Sequence, residues 1–97
     1  MIRNVVLGRL RDPNDPAASA QLDEGLAGIA ALDLPGQISM QVGRDAQLRD
    51  GAWTFAIVND WSDADSYRAY DTDEDHNRYR ALIVEVCEVA RVQLATD

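Results

Sequence analysis

The sequence predicts an α+β fold: a four-stranded antiparallel sheet with helices on one face. Three observations carry this. Strand-like segments and helix-spaced segments alternate along 97 residues, a length that suits one domain spanning 1–97. Their order is β-α-β-β-α-(α)-β. Two of the strands carry apolar side chains on both faces, so each face of the sheet needs cover.

The first strand is Ile2–Leu10. Ile2, Val6 and Leu10 share one parity with Asn4 and Gly8, while Val5 and Leu7 share the other with Arg3 and Arg9. The turn Arg11–Pro16 holds Asp-Pro twice, and proline biases its predecessor away from helix. A helix is expected over about 17–32, with Leu22, Leu26, Ile29 and Ala30 as its buried stripe. Gly25 and Gly28 weaken that helix, and close packing against the sheet accounts for them. Leu34-Pro35-Gly36 ends it. Gln37–Val42 is the second strand, with Ile38, Met40 and Val42 on one parity. The stretch 43–51 is polar and reads as a loop, whose Arg44 and Arg49 read as solvated charges.

Trp53–Asn59 is the strongest strand. Trp53, Phe55 and Ile57 form one side; Thr54, Ala56 and Val58 form the other. The small set suits closely packed helices, and the large set is expected to face a space beneath another sheet. Ser62 followed by Asp65 has the spacing of a capping box and starts a helix over about 63–70. The acidic turn Asp71–Asp75 opens like a calcium loop. However, His76 stands where that loop needs glycine, and Leu82 where it needs glutamate, so calcium is set aside. Asp73 or Asp75 serves instead as a helix cap. A third helix is expected over 76–84, packing through Tyr79, Leu82 and Ile83, and the last strand over 88–95. This order is ferredoxin-like. Helices cover one face, and a second copy of the chain covering the other makes a homodimer through sheet faces.

Composition excludes some partners. The formal charge is -8, which repels nucleic acid and anionic membrane. All nine basic residues are arginine, a usage consistent with a GC-rich bacterial genome. The single cysteine, Cys87, sits in an apolar run and reads as a buried structural thiol. No stretch reads as a signal peptide or a membrane span, which makes the cytoplasm the expected location.

The segments MIRNVVLGRL, LPG at Leu34–Gly36 and WSDADSYRAYDTDEDHNRY together resemble the stress-responsive dimeric alpha-beta barrel family. The resemblance covers nearly the whole chain. It implies ferredoxin-like subunits that pair their sheets into a dimeric alpha-beta barrel, with a cavity between sheet and helices. One branch resembles polyketide cyclases of the olivetolic acid cyclase type. There a histidine and a tyrosine perform acid-base work, and they match His76 and Tyr70. Pocket-lining positions match Asn4, Val6, Gly8 and Ile57. The chain departs from the family where Asn4 replaces a first-strand histidine, and where Asp73 and Glu74 replace the His-Pro of a His-Pro-x-His turn. Asparagine orients groups by hydrogen bonding but moves no proton near neutrality.

The resulting chemistry is acid-base. His76 would remove a proton between two carbonyls, and Tyr70 would hold the enolate oxygen of an apolar or aromatic small-molecule ligand. No metal or redox cofactor is required for that step. Two alternatives stand beside it: a non-catalytic, stress-related or ligand-binding dimer, and a cofactor-free monooxygenase in which the substrate itself activates oxygen.

Overall fold

β1 (Ile2–Leu10) lies in the interior of an antiparallel sheet, flanked by the third strand and by the last strand. The computed structural model describes residues 1–96. After β1 come α1 (Pro16–Ala30), β2 (Gln37–Arg44), β3 (Phe55–Trp61), α2 (Ala64–Asp71), α3 (Glu74–Val86) and β4 (Cys87–Ala95), with sheet order β2-β3-β1-β4. The helices pack on one face of this ferredoxin-like sheet. The expected closure into a barrel is overturned: β2 and β4 are edge strands, and the four strands form an open sheet. A closed barrel needs about eight strands to surround its own interior side chains, twice what this sheet has.

Register assigns the faces. Asn4 pairs with Asn59, Val6 with Ile57 and Gly8 with Phe55. On β4, Gln93, Arg91, Val89 and Cys87 stand opposite Asn4, Val6, Gly8 and Leu10. These residues face the helices. Leu22, Leu26 and Ile29 of α1 and Ile83 of α3 meet Phe55, Ile57, Leu10 and Cys87 in the core. At about 25 cal/mol per Å² of apolar surface, each large side chain buried here contributes roughly 1.5–3 kcal/mol. Gly8 is required by Phe55, since a Cβ there would lie 2.0 Å from the ring. The opposite face carries Val5, Leu7, Val58, Val92 and Leu94.

Several local expectations shift. In β3 the large side chains, not the small ones, lie under the helices: Phe55 and Ile57 are buried there, while Ala56 and Val58 take the open face. Strand alternation groups residues by side without saying which side is covered. β3 also begins and ends two residues later than expected, so Trp61 lies in the strand, fully buried, and Trp53 precedes it beneath the Arg9 guanidinium. Ile38 departs from the Met40 and Val42 face because a bulge intervenes between Gln37 and Ser39; it is 58% exposed. Gly25 and Gly28 pack against α3 rather than the sheet, under Ile83 and the Tyr79 ring. Arg44 is not a free loop charge. It ends β2 and ties that strand to α1 through Asp23 at 2.8 Å and through Ser19.

Candidate functional site

The site is built where α2 ends and α3 begins, over the helix-facing side of β1 and β3. Asp63, not Ser62, caps α2: its carboxylate accepts the Ser66 N–H at 2.7 Å. That places Tyr70 near the helix end, where the side chain turns inward and is 2% exposed. Asp73 caps α3 by accepting the His76 N–H at 2.9 Å. The cap sets the first turn and with it the position of the imidazole. The two rings stack, with centroids 3.9 Å apart and planes at 27°. Trp61 packs against Tyr70 in a tilted pair, ring centroids 4.6 Å apart.

Asn59 locks this stack from below, and its side chain is fully buried. The Trp61 indole N–H donates to Asn59 Oδ1 at 2.6 Å. Indole nitrogen only donates, so the amide orientation is settled and Nδ2 must face the other way. Nδ2 donates to Tyr70 Oη at 3.2 Å. Tyr70 therefore accepts from Asn59 and keeps its own hydroxyl proton for another partner. Burial, opposed by this hydrogen bond, pushes the Tyr70 pKa up to about 12. It is a neutral donor throughout the physiological range.

Burial, and then the nearby Arg80 guanidinium, push the His76 pKa below its ordinary value; the Tyr70 carbonyl and the Asp71 and Asp73 carboxylates pull the other way. The ring is therefore neutral at pH 7. Among the described residues, Nδ1 of His76 is the one buried side-chain nitrogen or oxygen without a hydrogen-bond partner. Such an orphan costs roughly 1–3 kcal/mol; the Tyr70 backbone carbonyl favours the charged ring but makes no hydrogen bond of good geometry to it.

A cavity opens beside the stack. It is small, about 30 Å³. Of the residues picked out from the sequence, Asn4, Val6, Ile57, Tyr70 and His76 line it together. Gly8 lies under the Phe55 ring instead. Asn4 Oδ1 accepts from Gln93 Nε2 at 2.9 Å. Phe55, Ile29 and Ile83 complete the apolar lining, and Tyr67, Asp71, Arg80 and Arg91 add polar groups. Arg80 pairs with Asp71 at 2.9 Å and also reaches Asn77. Sequence reasoning missed Asn59, Arg80 and Arg91. Parity held the signal for two of them: Asn59 continues the Phe55–Ile57 side, and Arg91 follows Val89 on β4. Among the described residues no three His, Cys, Asp or Glu side chains converge to hold a metal ion.

Fold and site together define an α+β protein with an open antiparallel sheet and an aromatic pocket, containing histidine and tyrosine, beneath its helices. The chain belongs to the stress-responsive A/B barrel domain family, whose pattern matches residues 2–94. A dimeric ferredoxin-like protein of unknown function from Thermobifida fusca is 31% identical, over 98% of this chain and 90% of its own, with a TM-score of 0.82. A dimeric protein of unknown function and ferredoxin-like fold from Bacteroides fragilis is 21% identical, over 98% and 95%, with a TM-score of 0.83. SnoaB, a cofactor-independent oxygenase from Streptomyces nogalater, is 14% identical, over 99% and 92%, with a TM-score of 0.69. The last two likenesses concern the fold alone. No curated protein matches the sequence. Among the described residues no helix is long and apolar enough to cross a membrane.

Proposed function

We propose that the pocket binds a compact aromatic or enolisable molecule and that neutral His76 takes an acidic C–H or O–H proton from it. Tyr70 donates its free hydroxyl hydrogen to the oxygen on which charge develops. The observation that carries this reading is the buried, unpartnered His76 Nδ1 in a ring that lines the cavity and stacks on Tyr70. A base that is neutral at pH 7 and a donor that stays protonated are the two states the step requires.

The anion so formed has more than one fate. SnoaB is named a cofactor-independent oxygenase. If the anion formed in this pocket met dioxygen, one oxygen atom would replace the two hydrogens of a CH₂ group as C=O and the other would leave as water. That fate suits the site better than polyketide cyclisation. A small cavity suits a compact ligand better than a folded poly-β-keto chain. A ligand-binding role without turnover uses the same contacts and lacks only the proton transfer.

The assembly belongs to this reading. Leu7, Val92 and Leu94 leave 45%, 51% and 46% of their surface open on the face away from the helices. A second copy packed on that face covers them. The relatives from Thermobifida fusca and Bacteroides fragilis are both described as dimeric.

Deuterium wash-in tests the base directly. Compact C–H acids, such as cyclic ketones and 1,3-dicarbonyls, are incubated in heavy water with the protein, and oxygen uptake is followed alongside. Removing a positioned base costs about 10²–10⁴-fold in rate, so His76→Ala should fall to the background rate. Equal exchange by wild type and His76→Ala would refute the base, and binding without exchange would leave the non-catalytic reading.

A further inference from the structure

Arg91 stands on β4 opposite Val6 of β1, on the helix-facing side, and its side chain contributes to the cavity wall. Among the described residues it makes no ion pair and no side-chain hydrogen bond. Seven of the other eight arginines are engaged; Arg49, in the loop after β2, is the other without such a partner among the described residues. Arg3, Arg9, Arg44, Arg68, Arg78 and Arg80 each hold a carboxylate within 3.1 Å. Arg11 reaches the Val84 and Glu85 carbonyls at the end of α3. Carboxylates are abundant, with seventeen Asp and Glu against nine arginines. Of Arg49 and Arg91, Arg91 is the one that lines the cavity holding Tyr70 and His76, where the carboxylate of a small acid can reach it.

We propose that Arg91 makes this pocket selective for a compact aromatic or enolisable carboxylic acid. The proposal rests on the small-molecule reading of the same site and names its ligand class. The carboxylate pairs with Arg91 at the mouth, where a guanidinium offers two parallel N–H donors to a planar anion. The ring or enolisable carbon enters toward Tyr70 and His76, between their aromatic faces and the side chains of Ile57 and Val6. A monoanion fits better than a phosphate dianion. The Arg80 charge is already met by Asp71, so Arg91 supplies one net positive charge beside that carboxylate. Because Arg91 is exposed, water screens the pairing, and the selectivity is expected to be about tenfold rather than thousandfold.

The test is an NMR titration of backbone amides with two isosteric probes, 2-hydroxybenzoate and its neutral amide. The acid should bind about tenfold more tightly than the amide, and the gap should narrow as sodium chloride is raised. Arg91→Gln should lose the preference while still binding the amide, which shows that its pocket is folded; Arg91→Lys should restore part of it. His76→Ala should keep the preference, since charge recognition and proton removal are separate. Equal affinities in the wild type, or a preference surviving in Arg91→Gln, would overturn the assignment while leaving the pocket intact. If neither probe shifts the amides lining the cavity, the small-molecule reading falls and this one with it.

Discussion

Asn59→Leu is the substitution that reaches furthest through the site. Asn59 is fully buried and touches Trp61 and Tyr70 at once, at 2.6 Å and 3.2 Å. Leucine is similar in size but takes away the acceptor for a buried indole N–H, which costs about 1–3 kcal/mol. The lost bond to Tyr70 adds about 0.5–1.5 kcal/mol, because the phenol can still donate elsewhere. A total loss of about 1.5–4.5 kcal/mol follows, readable as a lower urea midpoint by tryptophan fluorescence with an unchanged slope. Asn59→Asp separates stability from chemistry. Its carboxylate still accepts from Trp61 but gives Tyr70 nothing to accept, so the phenol proton turns toward it and away from the ligand. Asn59→Asp should therefore lose as much deuterium exchange as Tyr70→Phe while remaining folded. A cost below about 0.5 kcal/mol for Asn59→Leu, or full exchange in Asn59→Asp, would refute the amide lock.

Other perturbations act elsewhere. Gly25→Ala gains up to ~1 kcal/mol of helix propensity. Its Cβ would sit 2.6 Å from Ile83 Cγ1 and 3.0 Å from the Tyr79 carbonyl. Overpacking between α1 and α3 should leave a net loss of about 1–3 kcal/mol in denaturant melts. Leu7→Glu puts a charge on the open sheet face and should convert a dimer to a folded monomer in light scattering; an unchanged mass would place the interface elsewhere. His76 gives a pH signature. Its folded pKa is lowered below 6.5, so below that value the unfolded chain binds the extra proton first. Stability should fall as pH drops from 6.5 to the lowered folded value, and His76→Gln should flatten that slope in urea midpoints.

Much of the fold was legible because its signals are local. The ends of β1 follow from alternation and from the Asp-Pro turn, and β4 begins one residue earlier than expected and ends where expected. Asp73 capped α3 as its position before the helix suggested. What escaped depends on partners distant in sequence. Whether Phe55 or Ala56 faces the helices is decided by where α1 and α3 pack, which no alternation within β3 contains. The bulge at Ile38 is set by pairing with β3. The open ends of the sheet are likewise a property of strand order and not of any strand. In the site, Tyr70 and His76 were visible as a spaced pair in one segment. Asn59 is the last residue of the strand that alternation delimits, although Trp61 two residues on extends it and needs an acceptor. Nothing in the sequence beyond parity separates Arg91 from any other strand arginine; its place at the cavity wall and its lack of a carboxylate are tertiary facts.

β1 carries two unrelated duties at one-residue spacing. Asn4 and Val6 belong to the cavity, and Val5 and Leu7 to the outer face. Substitutions can therefore tune recognition and association independently, residue by residue. A single inserted or deleted residue cannot, because a slip of one position exchanges the two sets wholesale. It would send Leu7 under the helices, where the Phe55 ring requires Gly8, and turn Asn4 out to the surface. Diversification of this strand is thus open to point changes and closed to changes of length, while the 45–52 loop beside it, free of sheet register, can absorb both.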